Sequence, residues 1–159
     1  MKETIFEGQD LALIRSIAKI ANGYGFSIFL VGGIVRDLMM DKTPKDIDIV
    51  VVGDAFALTP LLKEKLLCKV VKAQPELKTV KLEFRNDFQV DFASTRKEVY
   101  GSIKGMPLAS NFGCSLKEDV MRRDFTINAM AISINSKDYG RIADFVNGYK
   151  HNFIPELVV

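Results

Sequence analysis

Asp46 and Asp48 are separated by one isoleucine at the head of a β-branched run that ends at Val52. Residues two apart in a strand face the same side and lie ~6.5–7 Å apart along the chain, so both carboxylates can converge on one site. Such a pair suits a divalent cation, because Mg²⁺ shared with substrate phosphate oxygens removes the repulsion between like charges. Carboxylates that cap the loop before the strand are the bland alternative. Asp91 lies in Val90-Asp91-Phe92 with apolar neighbours on both sides. If that strand adjoins Ile47–Val52, three carboxylates complete a two-metal site able to clamp the attacking and leaving oxygens of an in-line displacement. An edge-strand aspartate facing water is the competing reading.

Four other groups of residues could handle an anion. Gly32-Gly33 falls between an apolar run and a helix-forming stretch, where missing side chains let a phosphate approach backbone N–H groups. A tight turn alone accounts equally for two glycines. Arg36 and Asp37 follow on the first helical turn, where Arg36 either reaches a phosphate or pairs with a neighbouring carboxylate. Arg96 stands beyond the strand that holds Asp91, where a nucleotide-phosphate-binding role and a surface role are equally open. Finally, Arg122 and Arg123 precede Asp124, which reads as an N-cap, with Asn128 four residues on along the same helix face.

The elements that must position these residues can be read from periodicity. Gln9 to Tyr24 carries apolar residues at helical spacing and closes at Gly23 and Gly25. Ile28–Val31 reads as a strand before the Gly-Gly turn and a second helix, and Ile47–Val52 as a buried strand beginning at its carboxylates. A helix over Ala55 to Leu67 follows, then strands at Cys68–Val71, Thr79–Phe84 and Gln89–Ala93, the last two joined as a hairpin across Arg85-Asn86-Asp87. Ser94 to Ser115, with Gly101, Gly105, Pro107 and Gly113, reads as a long mobile loop. Leu116 to Ala131 reads as helix in two pieces, and Ile132–Ile134 and Arg141–Ala143 as short strands around a turn. Strands and helices mix without strict alternation, so the expected class is α+β or mixed α/β around one mixed or largely antiparallel sheet.

Bulk properties narrow the chemistry further. With 159 residues, 48% apolar and 26% charged, the chain fits one ordinary globular domain. A net charge of +2 is too small to attract a polyanion by itself, so any such partner must meet a local patch. Two separated cysteines and one histidine, His151, leave a zinc site without ligands, so a metal must be held by oxygens. The longest apolar runs are far short of the roughly 20 residues of a membrane span, and the opening MKETIFEGQD has no signal-like core. The expected location is the cytoplasm.

Taken together, LVGGIVRDLMMDKTPKDIDIVVV (Leu30 to Val52), VDFASTRKEVY (Val90 to Tyr100) and LKEDVMRRDFTINAMAI (Leu116 to Ile132) resemble, in order, signature segments of the class II tRNA nucleotidyltransferase and bacterial poly(A) polymerase family. The resemblance covers the catalytic head, roughly residues 10 to 150, and implies a polymerase-beta-like nucleotidyltransferase fold. It also implies that Asp46, Asp48 and Asp91 hold catalytic magnesium, and that Gly32, Gly33 and Arg36 bind the nucleotide triphosphate. Arg123, Asp124 and Asn128 match RRDxxxN, which in the family binds triphosphate and ribose. The implied reaction is attack of an RNA 3′-hydroxyl, such as a tRNA end, on the α-phosphate of CTP or ATP.

The sequence also departs from the family. Where the family closes its head with a DPxxGxxDL-like segment, this chain runs from Asp144 to His151 without that proline and with His151 in place of the second aspartate. The family's base-reading neck, body and tail find no counterpart before Val159. A fragment, a head-only protein that recruits a partner chain, and a degenerate relative all fit this ending. A catalytically silent nucleotide- or RNA-binding relative is one rival reading. A haloacid dehalogenase-type phosphohydrolase is another, although there the apolar strand precedes the aspartate, whereas here it follows. The reading implies that Asp46→Ala or Asp48→Ala abolishes metal-dependent transfer, measured by primer extension, while circular dichroism of the fold is unchanged. Retained activity in either variant removes that residue from the metal site.

Overall fold

The computed structural model describes residues 6–100, 107–123 and 129–145, with backbone only at 98–100 and 107–110. Helix α1 (Gly8–Gly23) buries Ile14, Ile17, Ala18 and Ala21 along one stripe, as the apolar spacing requires. It is followed by β1 (Ser27–Val31), α2 (Gly33–Met39), β2 (Asp48–Val52) and α3 (Ala55–Lys65). Next come β3 (Lys69–Gln74), β4 (Thr79–Glu83) and β5 (Gln89–Ser94). Among the described residues, these strands join β8 (Met130–Ser133) and β9 (Ile142–Asp144) in a seven-stranded sheet ordered β3-β4-β5-β2-β1-β8-β9. Only the β2–β5 pair is parallel; the remaining neighbours are antiparallel, which makes the sheet mixed.

Alternation along the central strands divides the sheet into two unlike faces. Ile28 and Leu30 of β1, Ile49 and Val51 of β2, and Val90 and Phe92 of β5 join the main core with residues of α1, α2 and α3. The intervening residues point the other way. Val31, Val50 and Ala131 there form a smaller cluster with Val120 of α4 (Leu116–Met121). Helix α4 starts at a capping box, in which the Ser115 hydroxyl accepts from the Glu118 N–H and Glu118 accepts from the Ser115 N–H. The buried Ser94 hydroxyl accepts from the Ala55 N–H at 2.8 Å and donates to the Lys78 carbonyl at 3.1 Å, tying the end of β5 to the start of α3. Asn135 closes the opposite side by accepting from Ile28 N–H and from Asn22, each at 2.8 Å.

The expected strand–turn–helix, the β4–β5 hairpin and the β8–β9 pair are present, with altered ends. Asn86 and Asp87 in the hairpin turn both have positive φ, which Asn and Asp tolerate better than most residues. Two expectations fail. Within the expected loop at 94–115, Arg96–Tyr100 (β6) and Pro107–Phe112 (β7) pair as a separate antiparallel hairpin. Pro107 opens β7, and proline is tolerated as a strand's first residue. The second failure is at Met130 and Ala131, which start β8 and do not extend a helix. All four residues of β8 are buried, so the run lacks alternation and local pattern cannot separate strand from helix. No helix among the described residues is long and apolar enough to cross a membrane.

Asp54 caps α3, accepting from the Phe56 N–H at 2.8 Å and from Lys78 at 2.8 Å. Desolvation pushes its pKa up, but the Lys78 and Phe56 hydrogen bonds outweigh it and hold the carboxyl below its ordinary value. A depressed carboxylate stabilises the fold above the ordinary carboxylate range, and that stability is lost as pH falls through the depressed value. Asp54→Ala is therefore expected to cost about 1 kcal/mol at neutral pH, with the deficit shrinking in acid, as measured by urea unfolding at both pH values.

Candidate active site

The parallel pairing of β2 with β5 sets Asp48 opposite Asp91, and Ile49 opposite Phe92. Paired residues in register share a face, so the two aspartates lie on the side opposite the main core. The Asp91 N–H donates to the Ile47 carbonyl at 2.9 Å, which locks this register at its first rung. Asp91 is thus on an interior strand, not an edge strand facing water. Asp46 differs from expectation in its setting: β2 starts at Asp48, and Asp46 lies exposed in the bend before it.

Electrostatics binds the three acids into one group. Partial burial raises the Asp48 pKa most, and the charges of Asp91 and Asp46 raise it further; Arg123 and Lys81 oppose the rise. Ionised Asp48 is therefore held at a cost, and a cation beside it relieves that cost. Lys81, opposite Asp91 on β4, places its ammonium 3.1 Å from Asp91 Oδ2. Among the described residues, no group of three or more acidic, histidine or cysteine side chains stands in a metal-ligating arrangement. The donor set is all oxygen, which fits a hard cation completed by water and phosphate oxygens better than an all-protein cage.

Gly32 and Gly33 lie where the sequence puts them, between β1 and α2. Gly32 has φ 75°, and a Cβ there would sit 3.7 Å from Asp48 Oδ2, so the turn passes directly beside the carboxylate. Arg36 pairs with Asp37 through Nε and Nη2, at 3.0 and 2.9 Å, and its guanidinium lies against Gly33. Asp46, Lys81 and Asp91 border a cavity of about 580 Å³ that reaches Asp10, Pro44 and Phe88. Asp48 and the two glycines do not line it, so that cavity adjoins the acid cluster from one side.

Arg122 and Arg123 follow the C-terminal end of α4; the expected N-cap Asp124 and Asn128 lie outside the described residues. The sequence reading overlooked the residue that holds both arginines. Asp119 is fully buried, with Oδ1 3.3 Å from Arg122 Nη2 and Oδ2 3.1 Å from Arg123 Nη2. Its Oδ1 also accepts from the N–H of Arg96, the first residue of β6, at 3.0 Å. The i,i+3 and i,i+4 spacing from Asp119 was the available signal. Lys81 was overlooked as well; the β4–β5 register places it opposite Asp91.

Residues 28–152 match the family model described as the poly A polymerase head domain. The chain is 33% identical over 140 residues to an A-adding tRNA nucleotidyltransferase of Geobacter sulfurreducens, covering 88% of this chain and 16% of that protein. A solved CCA-adding enzyme, apo form II, superposes with a TM-score of 0.83 at 37% identity, over 91% of this chain and 34% of that one. A CCA-adding enzyme in complex with CTP superposes with a TM-score of 0.74 at 34% identity, over 92% of this chain and 32% of that one. The chain thus spans between about a sixth and a third of the length of these relatives. Over four-fifths or more of its own length it shares their sequence and their polymerase-beta-like head fold, and it belongs to the poly(A) polymerase head domain family.

Proposed function

We propose that this chain is the catalytic head of an RNA 3′-terminal nucleotidyltransferase, moving CMP or AMP from CTP or ATP onto an RNA 3′-hydroxyl such as a tRNA end. The observation that carries this reading is the register of Asp48 against Asp91, with the Gly32 turn at the Asp48 carboxylate and the Arg123 charge acting on it. A carboxylate cluster beside a phosphate-accessible turn and a guanidinium is the equipment of phosphoryl transfer, where positioning and charge neutralisation supply most of the catalysis.

In this reading Asp46, Asp48 and Asp91 hold magnesium, in a two-metal site if both positions fill. Magnesium, when bound, offsets the carboxylate charge and stabilises charge developing on the attacking and leaving oxygens. The chain's own residues do the rest. Gly32 and Gly33 leave room for the triphosphate against the turn. Arg36 exchanges its exposed pairing with Asp37 for a phosphate, a change that costs little because surface ion pairs contribute little. Arg123 neutralises phosphate charge near Asp48, with Asp124 and Asn128 carried over from the family pattern as further nucleotide contacts and Arg96 as a candidate one. Lys81 must yield part of Asp91 for that carboxylate to reach a metal. The chain acts in this reading as a single head unit.

Calorimetric titration of CTP and ATP, with and without Mg²⁺, tests this directly. Both nucleotides are expected to bind with similar affinity and only with metal, and binding is expected to vanish in the Asp46→Ala/Asp48→Ala double variant. No binding to the unaltered chain overturns the reading. A second outcome follows from the raised Asp48 pKa. The folded state holds that proton more tightly than the unfolded chain, so the ionised form costs stability at neutral pH, and the cost disappears as acid protonates it. Asp48→Asn is accordingly expected to melt higher than the unaltered chain at neutral pH, by about 2–4 °C per kcal/mol relieved. The two melting curves are expected to converge in acid.

A further inference from the structure

Asp119 lies in α4, ahead of the RRD sequence, and among the described residues its hydrogen-bonding and ion-pair partners are Arg96, Arg122 and Arg123. Its side chain is 1% exposed. A carboxylate buried to that degree stays ionised only where charge and hydrogen bonds replace water. Asp119 has such partners on each oxygen: Oδ1 takes the Arg96 N–H and Arg122, and Oδ2 takes Arg123. Only Nη2 of the Arg123 guanidinium is used in this way. Its buried Nε has no hydrogen-bond partner among the described residues. Val120 of α4, three residues before Arg123, packs with Val31 and Val50 on the sheet face that carries Asp48 and Asp91.

From this geometry we infer that Asp119 is a positioning residue: it orients the Arg123 guanidinium toward the Asp48 side of the site before nucleotide arrives, and fixes the start of β6 with the same carboxylate. The inference rests on the reading of Arg123 as a triphosphate ligand. An arginine on its flexible stem loses rotamer freedom when it binds phosphate, and a buried carboxylate that holds one nitrogen removes that loss in advance. The planar fork keeps further N–H donors for the phosphate. Asp119 itself touches no substrate in this arrangement.

A double-mutant cycle on Mg²⁺-dependent ATP binding, read by calorimetry on the full chain, tests the inference. Arg123→Ala and Asp119→Asn are each expected to weaken ATP binding about tenfold, the scale of one lost charge-assisted hydrogen bond. The double variant is expected to be no weaker than Arg123→Ala alone. An Asp119→Asn loss of the same factor in both backgrounds overturns the inference, because the carboxylate then acts on the fold and not through Arg123. An Asp119→Asn variant that binds like the unaltered chain overturns it equally. Failure of Arg123→Ala to weaken ATP binding instead overturns the triphosphate reading and the inference with it. A measurement without any variant guards against misfolding of Asp119→Asn: ¹⁵N relaxation of the Arg123 Nε–H in the nucleotide-free chain. An ordered guanidinium is the expected result, and a freely moving one overturns the inference.

Discussion

The register between β2 and β5 is the constraint on which the site depends. It is the only parallel pairing among the described strands, and it sets Asp48 beside Asp91 while keeping Ile49 and Phe92 in the core. Because side chains alternate along a strand, a slip of one residue would bury the carboxylates and expose the core set. Hydrophobic burial therefore enforces the arrangement that electrostatics opposes. Ile49, Val51, Val90 and Phe92 are each nearly inaccessible, and full burial of such side chains is worth roughly 1.5–3 kcal/mol apiece. That sum exceeds the repulsion between two partly solvated carboxylates, so the core face dictates where the acids stand.

Around this pair the chain distributes positive charge from several directions. Lys81 comes from β4, Arg36 from the first turns of α2, and Arg123 from beyond α4, paired with Asp91, Asp37 and Asp119 in turn, the last shared with Arg122. The partners differ in burial, and burial decides how firmly each cation is held. Arg36 is 44% exposed and paired in water, where exchange for another anion is easy; Arg123 is anchored to a carboxylate from which water is excluded. The proposed site thus pairs a solvent-exposed guanidinium with one held by a buried carboxylate.

Much of this was legible in the residues because the signals were local. Asp46-Ile-Asp48, Gly32-Gly33 and the Arg85-Asn86-Asp87 turn each declare themselves within a few positions, and alternation in Val90-Asp91-Phe92 separates the acid from the core. What stayed hidden was set by partners distant in sequence. The β6–β7 hairpin read as loop because glycine and proline mark its ends and no single strand in it is strongly patterned. Met130 and Ala131 read as helix because a strand buried on both faces has no alternation to show. Asp119 was overlooked because only tertiary packing around the start of β6 removes it from water.

The separation of the two acids along the chain has a consequence for how the molecule assembles. Between β2 and β5 run α3, β3 and β4, so no local hairpin can bring Asp48 near Asp91. The β1–β2 and β4–β5 pairs close over shorter separations and carry one acid each. Loop-closure entropy favours those shorter closures first, leaving the long-range docking of β5 on β2 for a later stage. The like-charge encounter is thereby postponed until most of the apolar surface that opposes it is already in place, and the earliest folding steps proceed without it.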